Sequence, residues 1–439
     1  QRLGAVPKAR ACGRASREPP RRAGAFSDKA RSAALFRSGA RRSLVLMEET
    51  IRRSGGRRAL PPSVLALATA TFCVVTTEML PVGLLTSLGH GLHTSAGTTG
   101  LTVTLPGLVA ALAAPLLPVA VRRADRRTVL CVLLAVLAAA NALSALAPAF
   151  GVLLLGRALV GVCIGGVWAV AAGLAVRLVP EESEGRATAV IFSGIAVASV
   201  LGVPAGTLMG GLAGWRWAFA AMTLLALAVT ALLAALLPPL PAEGAVRLGE
   251  VAGVVRIPAV RAVLLVVAFL ITGHFAAYTY IRPALERVPG LGTGAVGTLL
   301  LVYGVAGIAG NFLGGAAAAR DPRRALLVIS AVLAGSVLLS VPAGGSLPAA
   351  AALLVVWGLA YGGVSVSAQN WLMAAAPGRR EAGSALFAGL FNAAIALGAL
   401  LGGRAADRFQ VEGALWLGGA LAVLALGAVA RRAGSRRAG

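Results

Sequence analysis

The sequence predicts an all-α membrane protein: twelve transmembrane helices in two six-helix bundles related by a parallel pseudo-repeat. Three observations predict it. Of 439 residues, 58% are hydrophobic and only 13% charged, whereas a soluble domain carries about 25% charged residues to cover a surface that faces water. The apolar residues are gathered into uncharged runs such as 129–147 and 218–237, each close to the roughly 20 residues that a bilayer-crossing helix needs. The chain also matches itself at one constant offset. With 56 glycines, its helices are suited to close packing in lipid.

Residues 1–58 hold sixteen Lys/Arg against four acids, half of the net charge of +24. No apolar run precedes the first span, so this is not a secretory signal; the composition fits a transit peptide or a disordered tail. The first Met, Met47, is expected to be the functional start. Hydropathy and Pro/Gly breakers then mark spans at 62–86, 98–121, 128–148, 150–176, 188–211 and 217–238. A second set follows at 260–283, 294–319, 325–342, 348–375, 383–405 and 412–430. The expected division is a disordered basic segment 1–58, an N-terminal bundle 59–238, a cytoplasmic linker 239–259, a C-terminal bundle 260–431 and a cytoplasmic tail 432–439.

Loop arginines orient the spans, because Lys and Arg accumulate on the cytoplasmic side. With the N-terminus inside and residues 1–58 set aside, eighteen fall on the cytoplasmic side and five outside. An odd number of spans would scramble that alternation. Both termini are therefore expected in the cytoplasm and the protein in the cell membrane.

Shifting the first half by 197 residues places Gly100 on Gly297, Gly107 on Gly304 and Arg126-Arg127 on Arg323-Arg324. Gly161, Gly165 and Gly166 fall on Gly358, Gly362 and Gly363, and Glu184 on Glu381. Two halves that both enter from the cytoplasm are related by an axis along the membrane normal, an arrangement that one large class of secondary transporters uses to bind substrate near the midplane.

Three segments carry motifs. The loop after span two reads Val121-Arg-Arg-Ala-Asp125-Arg126-Arg127, and span four holds Gly156-Arg157 followed by Gly161 and Gly165-Gly166. Span five carries Gly202-Val-Pro204-Ala-Gly206, with Gly210 continuing a four-residue stripe. Together with twelve spans in two halves, these resemble the major facilitator superfamily over roughly 60–430. The Gly-Pro pattern resembles that of exporters, and Thr77-Glu78-Met-Leu-Pro81 in span one resembles bacterial drug, sugar and nucleoside proton antiporters. The loop departs from the family pattern, with Pro118, Arg122 and Asp125 where Gly, Asp and Gly are usual. The resemblance assigns Asp125, Arg126, Arg127, Gly202, Pro204 and Gly206 to conformational motifs.

Glu78 is the acid deep in a span, and Arg157 the base. A charge at the bilayer centre costs about 2.5–3.5 kcal/mol on insertion scales. Protonation lowers that cost for a carboxyl, so Glu78 is read as the proton carrier; the bland alternative is a solvated carboxylate near a helix end. Arg157 keeps its proton and must find a carboxylate, carbonyls or water. Its field either tunes Glu78 or is purely structural. His274, Tyr278, Asn311, Gln369, Asn370 and Asn392 are candidates to line a substrate cavity, or to satisfy neighbouring helices, and Trp168 and Trp371 either supply a stacking wall or pack.

Several classes are set aside. The basic clusters lack the interleaved aromatics that stack bases, so no nucleic acid is expected. Cys12, Cys73, Cys131 and Cys163 have no metal or disulfide spacing, His90 and His93 lack an acidic partner, and Gly292–Gly297 follows no strand as a dinucleotide loop would. No cofactor, metal or catalytic cluster is expected. The resemblance implies a monomeric, proton-coupled exporter of small organic molecules working by alternating access. The alternatives are an importer on the same fold, or a membrane receptor or enzyme that does not transport.

Overall fold

The computed structural model describes residues 60–121, 123–171, 174–241, 253–377 and 380–434. The basic segment 1–58 with Met47, most of the linker 239–259 and the end of the tail 432–439 lie outside them. Six helices form the first half: α1 (Pro62–Leu92), α2 (Ala96–Ala120), α3 (Arg126–Ala145), α4 (Phe150–Ala171), α5 (Glu184–Leu212) and α6 (Trp215–Leu236). The second half begins with α7 (Pro258–Tyr278), α8 (Thr293–Arg320) and α9 (Pro322–Ala343), followed by α10 (Leu347–Ala375). A final stretch, Arg380–Gly434, is bent at Phe409 (φ −126°, ψ 20°) and Gln410 (φ 64°, ψ −178°). That bend separates α11 (380–408) from α12 (411–434), so the eleven apolar helices among the described residues that are long enough to cross a membrane supply twelve crossings.

Local signals set many helix starts. Pro62, Pro258, Pro322 and Pro348 stand in first turns, where an N–H has no intrahelical partner to lose. Ser95, Asp125 and Asp321 cap α2, α3 and α9 with side-chain oxygens. Two spans differ from expectation. The seventh stops at Tyr278, and the chain turns through Thr279 and Tyr280 into a short helix, Ile281–Leu285. Tyr280 is drawn inward there, its hydroxyl donating to Ala399 O at 2.7 Å. The tenth is interrupted at Gly363, where α10 crosses Gly310 and Gly314 of α8 at backbone contact.

Each half has its own core. One joins residues from Val64 to Leu240; the other joins residues from Val254 to Ala425 and takes in only Val82, Val103 and Val203 from the first half. Leu112, Leu155, Leu224 and Phe312 are mostly exposed, as lipid-facing side chains must be. The internal repeat is physical. Gly161 and Gly165 of α4 press on the backbones of Pro106 and Ala110 of α2, while Gly358 and Gly362 of α10 press on Tyr303 and Gly307 of α8. The offset of 197 that relates these glycines relates their partners too.

Between the halves, α2 meets α11 and α5 meets α8. Gly97 lies against Gly403, Gly107 against Ala396, Gly297 against Leu208 and Gly304 against Val200. Hydrogen bonds between the halves gather at the end bearing the α1–α2 and α7–α8 connections. Thr86 Oγ1 donates to Glu286 at 2.6 Å and Arg282 to Gly83 O, and Ser95 Oγ and Gly97 N–H donate to Asp407, each at 2.9 Å. Asn311 continues the α8 face of Gly297 and Gly304 one heptad toward the opposite end, and there it is exposed. The seam is shut at one end.

Candidate functional site

Glu78 lies midway along α1 and is only 6% exposed. No hydrogen bond or ion pair engages its carboxylate among the described residues. The bland alternative of a solvated or neighbour-bonded carboxylate near a helix end does not fit that position. Arg157 enters from α4 and is fully buried. Its Nε donates to Thr102 O at 2.8 Å, Nη1 to Thr77 O at 2.9 Å and Nη2 to the main-chain oxygen of Glu78 at 3.1 Å. Of the partners the sequence left open, the guanidinium uses carbonyls. The planar fork suits this, because its donors are held in a fixed array that three converging oxygens can match. Asn141 of α3 joins this cluster, donating from Nδ2 to Thr77 Oγ1 at 3.3 Å and to Leu137 O at 3.0 Å.

The facing half supplies rings. Tyr361 stacks on His274 with centroids 3.4 Å apart, His274 on Tyr278 at 5.0 Å, and Tyr278 on Tyr303 at 4.8 Å. Trp357 stands edge-on to His274, Tyr278 and Tyr303, and its Nε1–H donates to His274 Nδ1 at 3.1 Å. Tyr361 is the half-buried member and lies within electrostatic reach of Glu78. The repeat offset also places Thr77 on His274. In each half a buried donor from the fourth helix therefore pins the first at the same level.

Of the cavity candidates, the structure brings His274 and Tyr278 into this column. Asn311, Gln369 and Asn370 are exposed. Asn392 is buried and donates to Ala388 O in its own helix at 2.9 Å. Trp168 packs on the first core and Trp371 on the second. Tyr303, Trp357, Tyr361 and Asn141 were missed by the sequence reading, which named Thr77 only as part of the span-one motif. One signal could have found two of them: all four tyrosines, Tyr278, Tyr280, Tyr303 and Tyr361, fall in the second half, and Tyr278, Tyr303 and Tyr361 form the column.

The conformational motifs have plain packing roles. Gly202, Gly206 and Gly210 lie along Thr76, Leu80 and Leu84 of α1, and Pro204 sits inside α5. Asp125 caps α3, accepting from Thr128 N at 3.1 Å, and also accepts from Leu240 N. Arg126 N donates to Leu240 O at 2.8 Å and Arg127 to Ala234 O. This loop is therefore tied to the end of α6 in its own half, as Arg323 ties the corresponding loop to Val429 O of α12 at 2.9 Å.

The sequence profile of the Major Facilitator Superfamily matches residues 67–310 and 264–438. The purine ribonucleoside efflux pump NepI of Salmonella paratyphi A (strain ATCC 9150 / SARB42) is 31% identical over 376 residues, 86% of this chain and 95% of that pump. The pump of the same name from Salmonella typhi is also 31% identical over the same shares. Among solved structures, a bacterial homolog of the human lysosomal transporter Spinster, in an inward-facing and occupied conformation, superimposes with a TM-score of 0.70 at 16% identity, covering 84% of this chain and 94% of that one. A D-xylose–proton symporter gives 0.66 at 16% identity, over 84% and 96%. Two pinned six-helix halves, a seam closed at one end and these likenesses have one reading: the chain belongs to the Major Facilitator Superfamily, as a multi-pass membrane transporter of a small molecule.

Proposed function

We propose that this transporter exports a small organic molecule of the purine nucleoside type in exchange for protons, by alternating access, from a cell membrane with both termini in the cytoplasm. The observation that carries the proton-coupled reading is Glu78: a carboxylate buried at mid-helix whose nearby cation, Arg157, spends its hydrogen bonds on carbonyls. A charge so placed is costly in a bilayer, and gaining a proton relieves the cost. Substrate and proton then compete for one seam: a loaded site discharges the proton, and a protonated one releases the substrate. Similarity to nucleoside efflux pumps supports the direction and the substrate type. The arginine bias supports the orientation, under which the closed end of the seam faces outward. The bundles at 59–238 and 260–431 act as the two rocking bodies of a monomer, joined by the linker 239–259.

The test is transport in proteoliposomes under an imposed pH gradient, with protein amounts matched. Glu78→Gln keeps the shape and fixes the neutral state, so gradient-driven transport is lost while substrate binding survives. A variant that transports at the wild-type rate and still follows the gradient would show that the coupling group lies elsewhere.

A further inference from the structure

Helix α1 is interrupted beside Glu78 and gripped on both sides of the interruption. Pro81 stands inside it. Having no N–H, this proline leaves the carbonyl four residues back, that of Thr77, without its helical donor. Arg157, from the same half, supplies the missing donor, Nη1 to Thr77 O at 2.9 Å, and adds Nη2 to Glu78 O at 3.1 Å. The inner segment of α1 is thereby fixed to α4.

Beyond the proline the grip comes from the other half. Arg282 donates to Gly83 O, two residues past Pro81. Its Nε also donates to Glu286 Oε1 at 2.7 Å, and the second oxygen of Glu286 accepts from Thr86 Oγ1 of α1 at 2.6 Å. Arg282 is only 4% exposed, and a guanidinium so buried needs partners; the one it takes from the opposite half is the α1 backbone. Gly83 O accepts from Thr207 Oγ1 of α5 as well, at 3.2 Å.

The two grips differ in what happens when the halves part. Arg157 belongs to the half that contains α1 and travels with it. Arg282 travels with the opposite half and leaves Gly83 when the seam opens at this end. Between them lies the missing backbone bond, where a helix bends most readily, and Glu78 sits three residues before Pro81.

We propose that Arg282 is a positioning residue for the proton step: while it holds Gly83, the outer segment of α1 is fixed across the Pro81 joint, and its departure lets that segment swing and changes the surroundings of the Glu78 carboxylate. This rests on the proton-coupled reading of Glu78, and by reciprocity the charge on Glu78 biases the seam. Arg157 of α4 and Tyr361 of α10 lie within electrostatic reach of the same carboxylate, but neither acts through the Pro81 joint.

A double-mutant cycle separates these routes. The full chain, with its four native cysteines replaced by alanine, carries Val103→Cys. Val103 belongs to α2 yet is buried in the second core, so an impermeant thiol reagent reaches it from outside when the seam opens. In intact cells at alkaline external pH, Glu78→Gln should change the modification rate about threefold or more. That factor should vanish in Pro81→Ala, which returns the missing N–H, and in Arg282→Gln, which drops the grip. It should persist in Asp407→Ala, which loosens the seam through α2 and α11 instead. Persistence of the full factor in Pro81→Ala or Arg282→Gln overturns the inference and leaves the role of Glu78 standing. An unchanged rate on Glu78→Gln in the parent overturns the inference and the coupling of Glu78 together. Where Arg282→Gln fails to assemble, Pro81→Ala carries the test, because it restores a backbone hydrogen bond to the helix.

Discussion

The closed end of the seam can be loosened by a measured amount. Asp407 accepts two hydrogen bonds from the other half, from Ser95 Oγ and Gly97 N–H, both at 2.9 Å, and it sits at the N-terminus of α2. A hydrogen bond to a charged group contributes about 1.5–3 kcal/mol when sheltered. This site is exposed, and solvent screening reduces each bond to about 1 kcal/mol. Asp407→Ala therefore removes about 2 kcal/mol from the closed state and nothing from a state open at this end, a shift of about 30-fold in their ratio. Val103 is buried in the second core although it belongs to α2, so a cysteine there reports opening. With the four native cysteines replaced by alanine, the rate at which an impermeant thiol reagent modifies Val103→Cys from outside should rise about 30-fold in Asp407→Ala. Ser95→Ala should raise it about fivefold, because one bond is lost; its second role, capping Thr98 N at 3.1 Å, is the same in both states and cancels. A rate within twofold of the parent in Asp407→Ala would refute the view that these bonds hold the seam.

Further outcomes follow from the same geometry. Arg157→Lys offers a single ammonium where three carbonyls converge; transport at matched protein amount should fall well below wild type, and near-normal transport would show that the fork is dispensable. A methyl at Gly165 would meet Ala110 O, Ala113 Cβ and Ala114 N at 2.8 Å, whereas one at Gly151 would meet nothing within 4 Å. Gly165→Ala should therefore lower stability in detergent by roughly 1–3 kcal/mol, with Gly151→Ala neutral or slightly stabilising, both read from thermal unfolding. If a single Glu78 proton exchanges for an uncharged nucleoside, each cycle moves one charge. A membrane potential of 100 mV, negative toward the side that receives the proton, then contributes about 2.3 kcal/mol, roughly a 50-fold larger gradient at equilibrium; no response to a potassium diffusion potential would rule out that stoichiometry.

The spans were readable because lipid imposes length and apolarity together, and arginines gather in the loops on one side. The seventh and tenth were overrun for a physical reason: Tyr280 and Gly363 change the chain's direction without changing its hydropathy. Glu78 and Arg157 stood out because buried charge is rare, yet their relation did not, since main-chain acceptors leave no trace in side-chain identity. The ring column was half visible. His274 and Tyr278 lie four apart on one helix face, but Tyr303, Trp357 and Tyr361 come from α8 and α10, and only packing shows that those helices converge. Asp407 lies just past the expected eleventh span, 383–405, and its partners Ser95 and Gly97 come from the other half, which the sequence alone does not bring near.

The Arg157 clamp closes on three main-chain oxygens, which any amino acid would provide. The joint between α1, α2 and α4 is therefore indifferent to which side chains occupy 77, 78 and 102. Substitution at those positions can re-tool the protein for another cargo or another driving ion while the hinge-bearing frame stays assembled. A change of charge on the carboxylate at position 78 would likewise leave the three main-chain acceptors of Arg157 in place.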